Sequence, residues 1–237
     1  MKRLAMWIGL VMVFSAAGTG AQVVGKWVKL AAFPEPIAEI AGAASGGKLY
    51  VFGGLGPSFE AIGMVYEYDP ATDKWTKKRP MPVPAHHLAI TELGGKIYII
   101  GGFTLPKSGP AGWVPIDNAW EYTPAADNWK ALAPMPTKRG SPVAAAVNGK
   151  IYVIGGATFH PGSKEIALYA NRPHRSISDV EEYDPATNKW SARSPMPTAR
   201  NHAAVGAAGG KIYVIGGRVG AAFMGVASNT EIGRAHV

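Results

Sequence analysis

The chain has 237 residues, of which 47% are hydrophobic and 17% charged, and it contains 30 Gly and 19 Pro. This length is sufficient for one sizeable core or one repeat array. The Gly and Pro residues recur at fixed positions, so they indicate turns and not disorder. The absence of Cys from the sequence excludes disulfides, thiolate catalysis and Cys-ligated metals.

Residues 1–21 are predicted to be a signal peptide. Lys2 and Arg3 precede an apolar run over 4–17, and small residues offer cleavage after Ala21 or Ala17. The run is shorter than the roughly 20 residues that a membrane span needs. We therefore expect cleavage and export, a periplasmic or secreted location, and no membrane span in the mature chain.

The charge of the chain weakly favours anionic partners. The formal net charge is +8, and removal of Lys2 and Arg3 leaves 22 basic and 16 acidic residues, or +6. A basic excess attracts anions. No basic run alternates with aromatic residues, so nucleic acid is not an expected partner.

A short apolar run that ends in a Gly pair occurs four times, at 48–54, 96–102, 150–156 and 211–217. Its β-branched and aromatic residues predict a strand buried on both faces. The Gly pair permits positive φ and lets other groups approach the backbone closely. Because one such strand cannot bury its faces alone, the run predicts a repeat architecture.

Two intervals in the repeat are constant. Four tryptophans each precede the first Gly of a pair by 26 residues, and three tyrosines each precede a tryptophan by seven. The tryptophans are Trp27, Trp75, Trp129 and Trp190, and the tyrosines are Tyr68, Tyr122 and Tyr183. Only the interval from the Gly pair to the Tyr varies, from 14 to 20 to 27 residues. The pattern predicts a constant frame with one loop that grows. Trp75, Trp129, Trp190 and the paired Tyr side chains are expected to form the core between blades.

Each unit is predicted to contain four strands, A to D. Strand A is small and apolar, a Gly-Gly or Asn-Gly turn follows, and strand B is the repeated run. Strand C carries the Tyr, an Asp-Pro or Thr-Pro turn follows, and strand D runs from the Trp to Pro-Met-Pro. No segment has a helical period, so an all-β protein is expected.

A Gly pair with a Tyr and a Trp seven residues apart, repeated about every fifty residues, resembles the kelch repeat. This resemblance implies a kelch-type β-propeller in which each repeat is one four-stranded blade. A β-sandwich with accidental periodicity is the alternative. About four blades are expected, with boundaries at 22–30 (a lone outer strand), 31–79, 80–133, 134–194 and 195–230 (an incomplete blade).

The two ends depart from the repeat. Residues 22–30 correspond to a D strand alone, which resembles ring closure between the termini of kelch propellers. The last unit lacks the Tyr, the Asp-Pro and the Trp, and 231–237 reads like translated sequencing adapter, so a non-native tail is predicted there. Kelch propellers usually have five to seven blades, which implies a truncated part of a larger propeller. A four-bladed ring completed by 22–30 is the alternative.

Strand order predicts which face of the propeller carries a site. The variable B–C loops and the D–A connections should share one face, and the constant turns should share the other. Binding normally belongs to variable loops on a rigid frame. The D–A connections enter the innermost strand, so their last residues should surround the central mouth: Glu39, His86, His87, Arg139, Ser141, Arg200, Asn201 and His202.

Both these residues and the long loops could either bind a ligand or have a purely structural role. The ring residues could bind an anionic or sugar-like ligand, with Arg139 and Arg200 as bidentate clamps, or these arginines could bond to blade backbone. The loops contribute Trp113, Arg172, His174, Arg175 and Arg218. Such basic and aromatic residues suit an acidic glycan or a protein partner, and a solvated lid is the alternative.

No metal or other cofactor is expected. Adjacent residues His86 and His87 should point to opposite faces of a strand, so at most one of them can join His202 at the mouth. The strand-C carboxylates Glu67, Glu121 and Glu182 repeat with the frame, which favours structural hydrogen bonds over catalysis. The sequence contains no nucleophile elbow, phosphate-binding Gly loop or zinc motif.

Two functions follow, and the sequence leaves open whether the protein is an enzyme. The first is an exported binding module that recognises a protein or an anionic glycan on the loop face. The alternative is a mutarotase, because an exported kelch protein is similar to the N-acetylneuraminate epimerase group. Under that alternative, Glu39, His86 or His202 would exchange protons. A third possibility is that an open arc of blades is inactive.

Overall fold

A computed structural model of the chain describes residues 25–109, 112–169 and 174–219, together with the backbone of 232–236. The predicted signal peptide lies outside these residues. The chain divides into two units, Met1–Leu30 and Ala31–Val237. In the first unit, residues 25–30 form no strand and Trp27 is 98% exposed. The pairing of 22–30 with a last blade therefore stays a prediction.

The second unit contains three complete blades, each a four-stranded antiparallel sheet in the order A-B-C-D. Blade 1 consists of β1 (Ala41–Ser45), β2 (Lys48–Phe52), β3 (Val65–Asp69) and β4 (Lys74–Lys77). Blade 2 consists of β5 (Ala89–Leu93), β6 (Lys96–Ile100), β9 (Ala119–Thr123) and β10 (Asn128–Ala131). Blade 3 consists of β11 (Val143–Val147), β12 (Lys150–Ile154), β15 (Val180–Asp184) and β16 (Lys189–Arg193). The predicted all-β architecture is confirmed.

The fourth sheet has three strands, β17 (Ala204–Ala208), β18 (Lys211–Ile215) and β19 (Ile232–His236). Strand β19 occupies the position of strand C, although it lies within the segment predicted to be a non-native tail. Backbone pairing does not distinguish native from foreign sequence, so the origin of this tail stays a prediction.

The loops add two short ribbons, β7 (Phe103–Thr104) with β8 (Val114–Pro115) and β13 (Ala157–Thr158) with β14 (Arg175–Ser176). The one helical element in the described ranges is a 3₁₀ turn at Pro124–Ala126. Within the described residues, no helix has the length and apolarity that a bilayer crossing requires.

The A strands lie innermost, since β1 contacts β5, β5 contacts β11 and β11 contacts β17. Aromatic residues fill the space between successive blades. The ring of Tyr122 in blade 2 lies 5.4 Å from the ring of Phe52 in blade 1, and the ring of Trp129 lies 5.8 Å from Phe52. Edge-to-face contacts of this kind stabilise a buried junction. Tyr68, Tyr122 and Tyr183 are buried, and Trp75, Trp129 and Trp190 pack half-buried against the same clusters, which confirms their predicted core role.

The Gly pairs lie at the junctions between blades. The N–H of Gly102 donates to the carbonyl of Arg139 in the next blade at 3.0 Å. A Cβ on Gly101, at φ +63°, would lie 2.7 Å from the same carbonyl oxygen. Gly54 and Gly156 donate in the same way to the next D–A connection. The repeat therefore requires Gly at these positions, because the backbone of the next blade lies too close to leave room for a Cβ atom.

The turn between strands C and D joins neighbouring blades, a role that its sequence does not reveal. Asp127 has a left-handed φ of 47°, and its Oδ1 accepts the hydroxyl of Tyr122 at 2.7 Å. The same oxygen accepts the backbone N–H of Arg79 in blade 1 at 2.9 Å. Asp73 and Asn188 make the equivalent pair of hydrogen bonds. Asp127 and Asn188 are therefore latches between successive blades, and Asp73 holds the start of blade 1 at Ala31 in the same way.

We expect Asp127→Ala to lower the free energy of unfolding by about 2 kcal/mol, because the Arg79 N–H and the Tyr122 hydroxyl both lose their acceptor. Urea denaturation measures the change. Asp127→Asn is the matched control, since Asn188 forms the same latch in blade 3, and it should cost less than half as much. Equal losses in the two variants would contradict the latch.

The strand-C carboxylates make the predicted structural hydrogen bonds. Glu67 accepts from Lys48 Nζ at 2.6 Å and from the Tyr50 hydroxyl at 2.9 Å. Glu121 makes the same pair of bonds with Lys96 and Tyr98. In blade 3, Arg193 replaces the lysine and contacts Glu182 through two nitrogens.

Candidate functional site

The D–A connections and the first residues of the B–C loops meet on one face. Four isolated antiparallel bridges join them, Ala38 with Leu55, His86 with Phe103, Gly140 with Ala157 and Asn201 with Arg218. The bridge recurs in every blade because the Gly pair turns the chain from strand B toward the connection. The predicted sharing of one face by these segments is confirmed.

One residue of each connection forms what we call the inner ring: Glu39, His87, Ser141 and His202. All four have positive φ, between 52° and 55°. The N–H of Ser141 donates to the His87 carbonyl at 3.0 Å, and the N–H of His202 donates to the Ser141 carbonyl at 3.2 Å. This ladder passes from blade to blade and holds a backbone conformation that is otherwise unfavourable for residues with a Cβ.

The inner ring brings imidazoles and a carboxylate together. His87 Nε2 lies 3.3 Å from Glu39 Oε2, and the rings of His87 and His202 are 4.8 Å apart. His86 Nδ1 lies 2.5 Å from His87 Nδ1. Because both rings are neutral, one of these two Nδ1 atoms donates to the other. Close contacts therefore run from His86 through His87 to Glu39.

The expectation that His86 and His87 point to opposite faces of a strand was wrong. His86 belongs to an isolated bridge and His87 has a φ of 54°, so the alternation of an extended strand does not apply. Their ring centroids are 4.8 Å apart. His87 contacts His202, whereas His86 is fully buried and packs against Phe103 and Trp113.

Ser141 and His202 form a second hydrogen-bonded chain. Ser141 Oγ lies 3.2 Å from His202 Nε2, and His202 Nδ1 contacts Asn201 Oδ1. Asn201 Nδ2 donates to Ser176 Oγ at 2.8 Å. Arg218 Nη1 lies 3.5 Å from His202 Nε2. The predicted residues Asn201, His202 and Arg218 are therefore adjacent.

The predicted ligand clamps are structural instead. Arg139 is fully buried, and its Nη1 donates to the carbonyls of Gly155 at 3.1 Å and Asp179 at 3.0 Å. Its Nη2 forms an ion pair with Glu181. Arg200 is nearly buried and donates to the Gly216 carbonyl. The structure thus favours the alternative, in which these arginines bond to blade backbone.

The second B–C loop lines the site with an aromatic wall. Trp113 stacks on Phe103 with ring centroids 5.8 Å apart and lies 5.4 Å from His87. The backbone of Trp113 pairs with Leu168 of the third loop in both directions, at 2.9 and 2.8 Å. The two long loops therefore support each other, and the half-buried Trp113 lies beside His87 of the inner ring.

The remaining predicted residues differ in their position relative to the inner ring. His174 is buried, and its charge interaction with Arg218 places it near the same site. Arg175 is exposed on β14, where it pairs with Thr158. Arg172 lies outside the described residues. Three or more His, Asp or Glu side chains do not gather as metal ligands anywhere in the described ranges.

Burial keeps the imidazoles of the site neutral at pH 7. It lowers the pKa of His86 and of His202 to about 4 and that of His87 to about 2. The neighbouring Arg218 lowers the pKa of His202 further. A neutral imidazole has one N–H donor and one nitrogen lone pair, so each ring can both donate and accept a hydrogen bond.

Burial of His86 predicts loss of stability in mild acid. The unfolded state binds a proton below about pH 6.5, but the folded state does so only near pH 4, so stability falls as pH falls through this window. One histidine shifted this far contributes about 3 kcal/mol. Urea midpoints at pH 7.5 and pH 4.5 measure the loss, and His86→Gln should reduce the difference between them. An unchanged difference would contradict the assignment.

Sequence reasoning found most members of the site but not their pairing. It placed Glu39, His86, His87, Ser141, Asn201 and His202 at the mouth, because all of them end D–A connections. It missed the contact between Ser141 and His202, which are 61 residues apart. The positive φ at the inner ring has no sequence signal, since no Gly occupies those four positions.

Four-stranded blades that are joined through Gly pairs, with their D–A connections meeting on the loop face, define a kelch-type β-propeller. A family model described as the KLHDC2/KLHL20/DRC7 Kelch-repeats domain matches residues 26–217. The chain therefore belongs to the kelch-repeat family.

Similar proteins include both an enzyme and larger eukaryotic proteins. The chain is 45% identical over 93 residues to N-acetylneuraminate epimerase of Pasteurella multocida, which is 38% of this chain and 22% of that protein. It is 33% identical over 97 residues to human Kelch repeat and BTB domain-containing protein 12, which is 41% of this chain and 15% of that protein. These matches span less than a quarter of either relative.

The fold is also similar to a solved structure, that of YjhT. The TM-score is 0.65 and the identity 25%, and the match covers 80% of this chain and 60% of that one. The chain thus matches about three fifths of the length of that solved protein.

Proposed function

We propose that the inner ring binds an anionic sugar of the sialic acid type and exchanges its anomers. The observation that carries this proposal is the convergence of Glu39, His87 and His202, with 3.3 Å between Glu39 and His87 and 4.8 Å between the two imidazole rings. Anomer exchange requires a group that accepts a proton and a group that donates one on either side of the ring oxygen. The inner ring supplies both kinds of group.

Each chemical feature of such a sugar has a counterpart. Arg218 contacts His202 and offers a positive charge to the sugar carboxylate. Trp113 offers an aromatic face to the apolar side of the pyranose ring. His202 Nε2 is the acceptor for the anomeric hydroxyl proton, and the protonated Glu39 carboxyl gives a proton to the ring oxygen while the bond between that oxygen and the anomeric carbon breaks. Closure of the ring on the other face of the carbonyl returns both protons to these groups. Glu39, whose side chain is 46% exposed, takes up its proton from solvent.

The relatives agree with this assignment without deciding it. One relative carries the name N-acetylneuraminate epimerase, whereas the human relative is named for its kelch repeats and BTB domain. A binding module that recognises a protein on the same loop face is the second candidate. Export to the periplasm or the exterior, which would suit a sugar substrate, stays a prediction.

Proton NMR of freshly dissolved N-acetylneuraminic acid tests the proposal. The protein should accelerate the approach to anomeric equilibrium, and Glu39→Gln should lower the acceleration about 100-fold. Glu35→Gln is the matched control. Glu35 lies in the same connection but bonds to Tyr66 and Lys77, so the rate should not change. Absence of any acceleration, combined with retained binding of a protein partner, would favour the second candidate.

A further inference from the structure

We propose that Ser141, His202 and Asn201 form a hydrolytic triad that cleaves small carboxylic esters, with Ser141 as the nucleophile. This activity goes beyond anomer exchange, because it forms a covalent intermediate on a side chain that the exchange does not require. The three residues come from two D–A connections, in blades 3 and 4, and the inner-ring ladder fixes their relative position.

The contacts have the order that acyl transfer requires. The nucleophile Ser141 Oγ lies 3.2 Å from His202 Nε2, within reach for proton transfer. On the other side of the imidazole, Nδ1 contacts Asn201 Oδ1. A nucleophile, a base and a group that orients the base are the three roles of a serine triad, which is recognised by geometry and not by sequence position.

The hydrogen bonds also select the productive tautomer of His202. Asn201 Nδ2 donates to Ser176 Oγ at 2.8 Å, which turns Oδ1 of the same amide toward His202. Because Oδ1 can only accept, Nδ1 of the imidazole carries the hydrogen. The lone pair is then on Nε2 and faces the Ser141 hydroxyl. Ser176 therefore acts as a positioning residue for the base.

The group that stabilises the oxyanion is the guanidinium of Arg218. The N–H of Ser141 already donates to the His87 carbonyl, and Pro142 has no N–H, so neither amide can serve an oxyanion. Arg218 Nη1 lies 3.5 Å from the same Nε2 atom that accepts from Ser141. A fixed positive charge next to the point of attack stabilises the developing oxyanion. Ser141 is only 5% exposed, which restricts the acyl group to a small one such as acetyl.

The reaction balances with water as the only co-reactant. Ser141 Oγ bonds to the ester carbonyl carbon while its proton passes to His202 Nε2. Collapse of the tetrahedral intermediate breaks the ester C–O bond, and Nε2 returns the proton to the departing alcohol. Water then attacks the acyl-serine, with His202 again accepting and returning a proton, and releases the carboxylic acid and the free hydroxyl of Ser141.

Hydrolysis of p-nitrophenyl acetate by the full chain tests the triad. We expect p-nitrophenolate release to fall at least about 100-fold in Ser141→Ala and in His202→Gln. The matched control Ser45→Ala changes a serine in β1 that is 8% exposed, and its rate should equal that of the unmodified protein. An unchanged rate in Ser141→Ala or in His202→Gln would overturn the proposal.

Mass spectrometry identifies the nucleophile. Trypsin cleaves after Arg139 and Lys150, and in the peptide 140–150 the only hydroxyl belongs to Ser141. Rapid acid quenching should trap one acetyl group on this peptide, and His202→Gln should abolish it. An acetyl group on other peptides alone, or one that persists in His202→Gln, would contradict the triad.

A second variant tests the pair without relying on turnover. The chain has no Cys, so Ser141→Cys introduces a single thiol next to His202. Pairing with a histidine lowers a thiol pKa below its usual 8.5 or so, so iodoacetamide should alkylate this thiol at pH 6.5 at least about 10-fold faster than in Ser141→Cys/His202→Gln. Equal alkylation rates would show that His202 does not act on residue 141. The sugar exchange assay has no part in this experiment, so the two proposals can fail separately.

Discussion

Gly101→Ala is expected to lower the free energy of unfolding by about 2–5 kcal/mol. The residue has a φ of +63°, and its new Cβ would lie 2.7 Å from the carbonyl oxygen of Arg139. A left-handed conformation costs a residue with a Cβ about 1–2 kcal/mol, and forced overpacking adds about 1–3 kcal/mol. The displaced carbonyl also accepts the Gly102 N–H, so the junction between blades 2 and 3 should open.

Gly94→Ala is the matched control for this prediction. Gly94 belongs to the same blade and has the same φ of +63°, but a Cβ there meets nothing within 4 Å. It should cost only the conformational part, about 1–2 kcal/mol. Urea denaturation of both variants measures the difference. Equal losses would mean that the conformation alone requires Gly and that the close approach of the next blade does not.

Glu181→Gln is expected to destabilise the protein by about 3 kcal/mol. Glu181 is the partner of the fully buried Arg139 guanidinium, and it also accepts the hydroxyl of Thr137 at 2.8 Å. Burial lowers the pKa of Arg139, while the charge of Glu181 opposes that shift. Removal of one partner leaves an uncompensated charge in the interior, which typically costs about 3–5 kcal/mol. The urea midpoint at pH 7 is the measurement.

The neighbouring residue provides the control. Glu182→Gln removes the same charge one position along β15, but its partner Arg193 has a side chain that is 47% exposed. Glu182 itself is buried, but Arg193 can be solvated when its partner is lost, so this variant leaves no buried unpaired charge and should cost only about 1 kcal/mol. If the two variants lose equal stability, burial of Arg139 does not determine the cost.

The frame of the fold was predictable because its determinants are local. The constant 26-residue and seven-residue intervals fix where Trp and Gly fall in each blade, and the blades then pack through those residues. The latch at Asp127 was not predictable, since an Asx residue in a turn is equally compatible with a hydrogen bond inside the turn. Only the packing of blade 2 on blade 1 brings the Arg79 N–H to it.

The membership of the site was predictable, but its chemistry was not. In any propeller of this strand order the D–A connections end at the central mouth, and in this chain they end at Glu39, His87, Ser141 and His202. Which side chains touch depends on the positive φ of these residues and on the ladder between blades, and neither leaves a pattern in the sequence. For Arg139 the sequence allowed both a ligand clamp and a bond to blade backbone, and the backbone carbonyls that surround it favour the second.

The most direct test of the central claim, that the inner ring is one acid–base site for an anionic sugar, is a long-range ¹H–¹⁵N spectrum of the imidazoles at pH 7. The signals of His87 and His202 should show one protonated and one free nitrogen each, and both should shift when N-acetylneuraminic acid is added but not when glucose is added. Fully protonated rings, or inner-ring signals that do not respond to the anionic sugar, would contradict the claim.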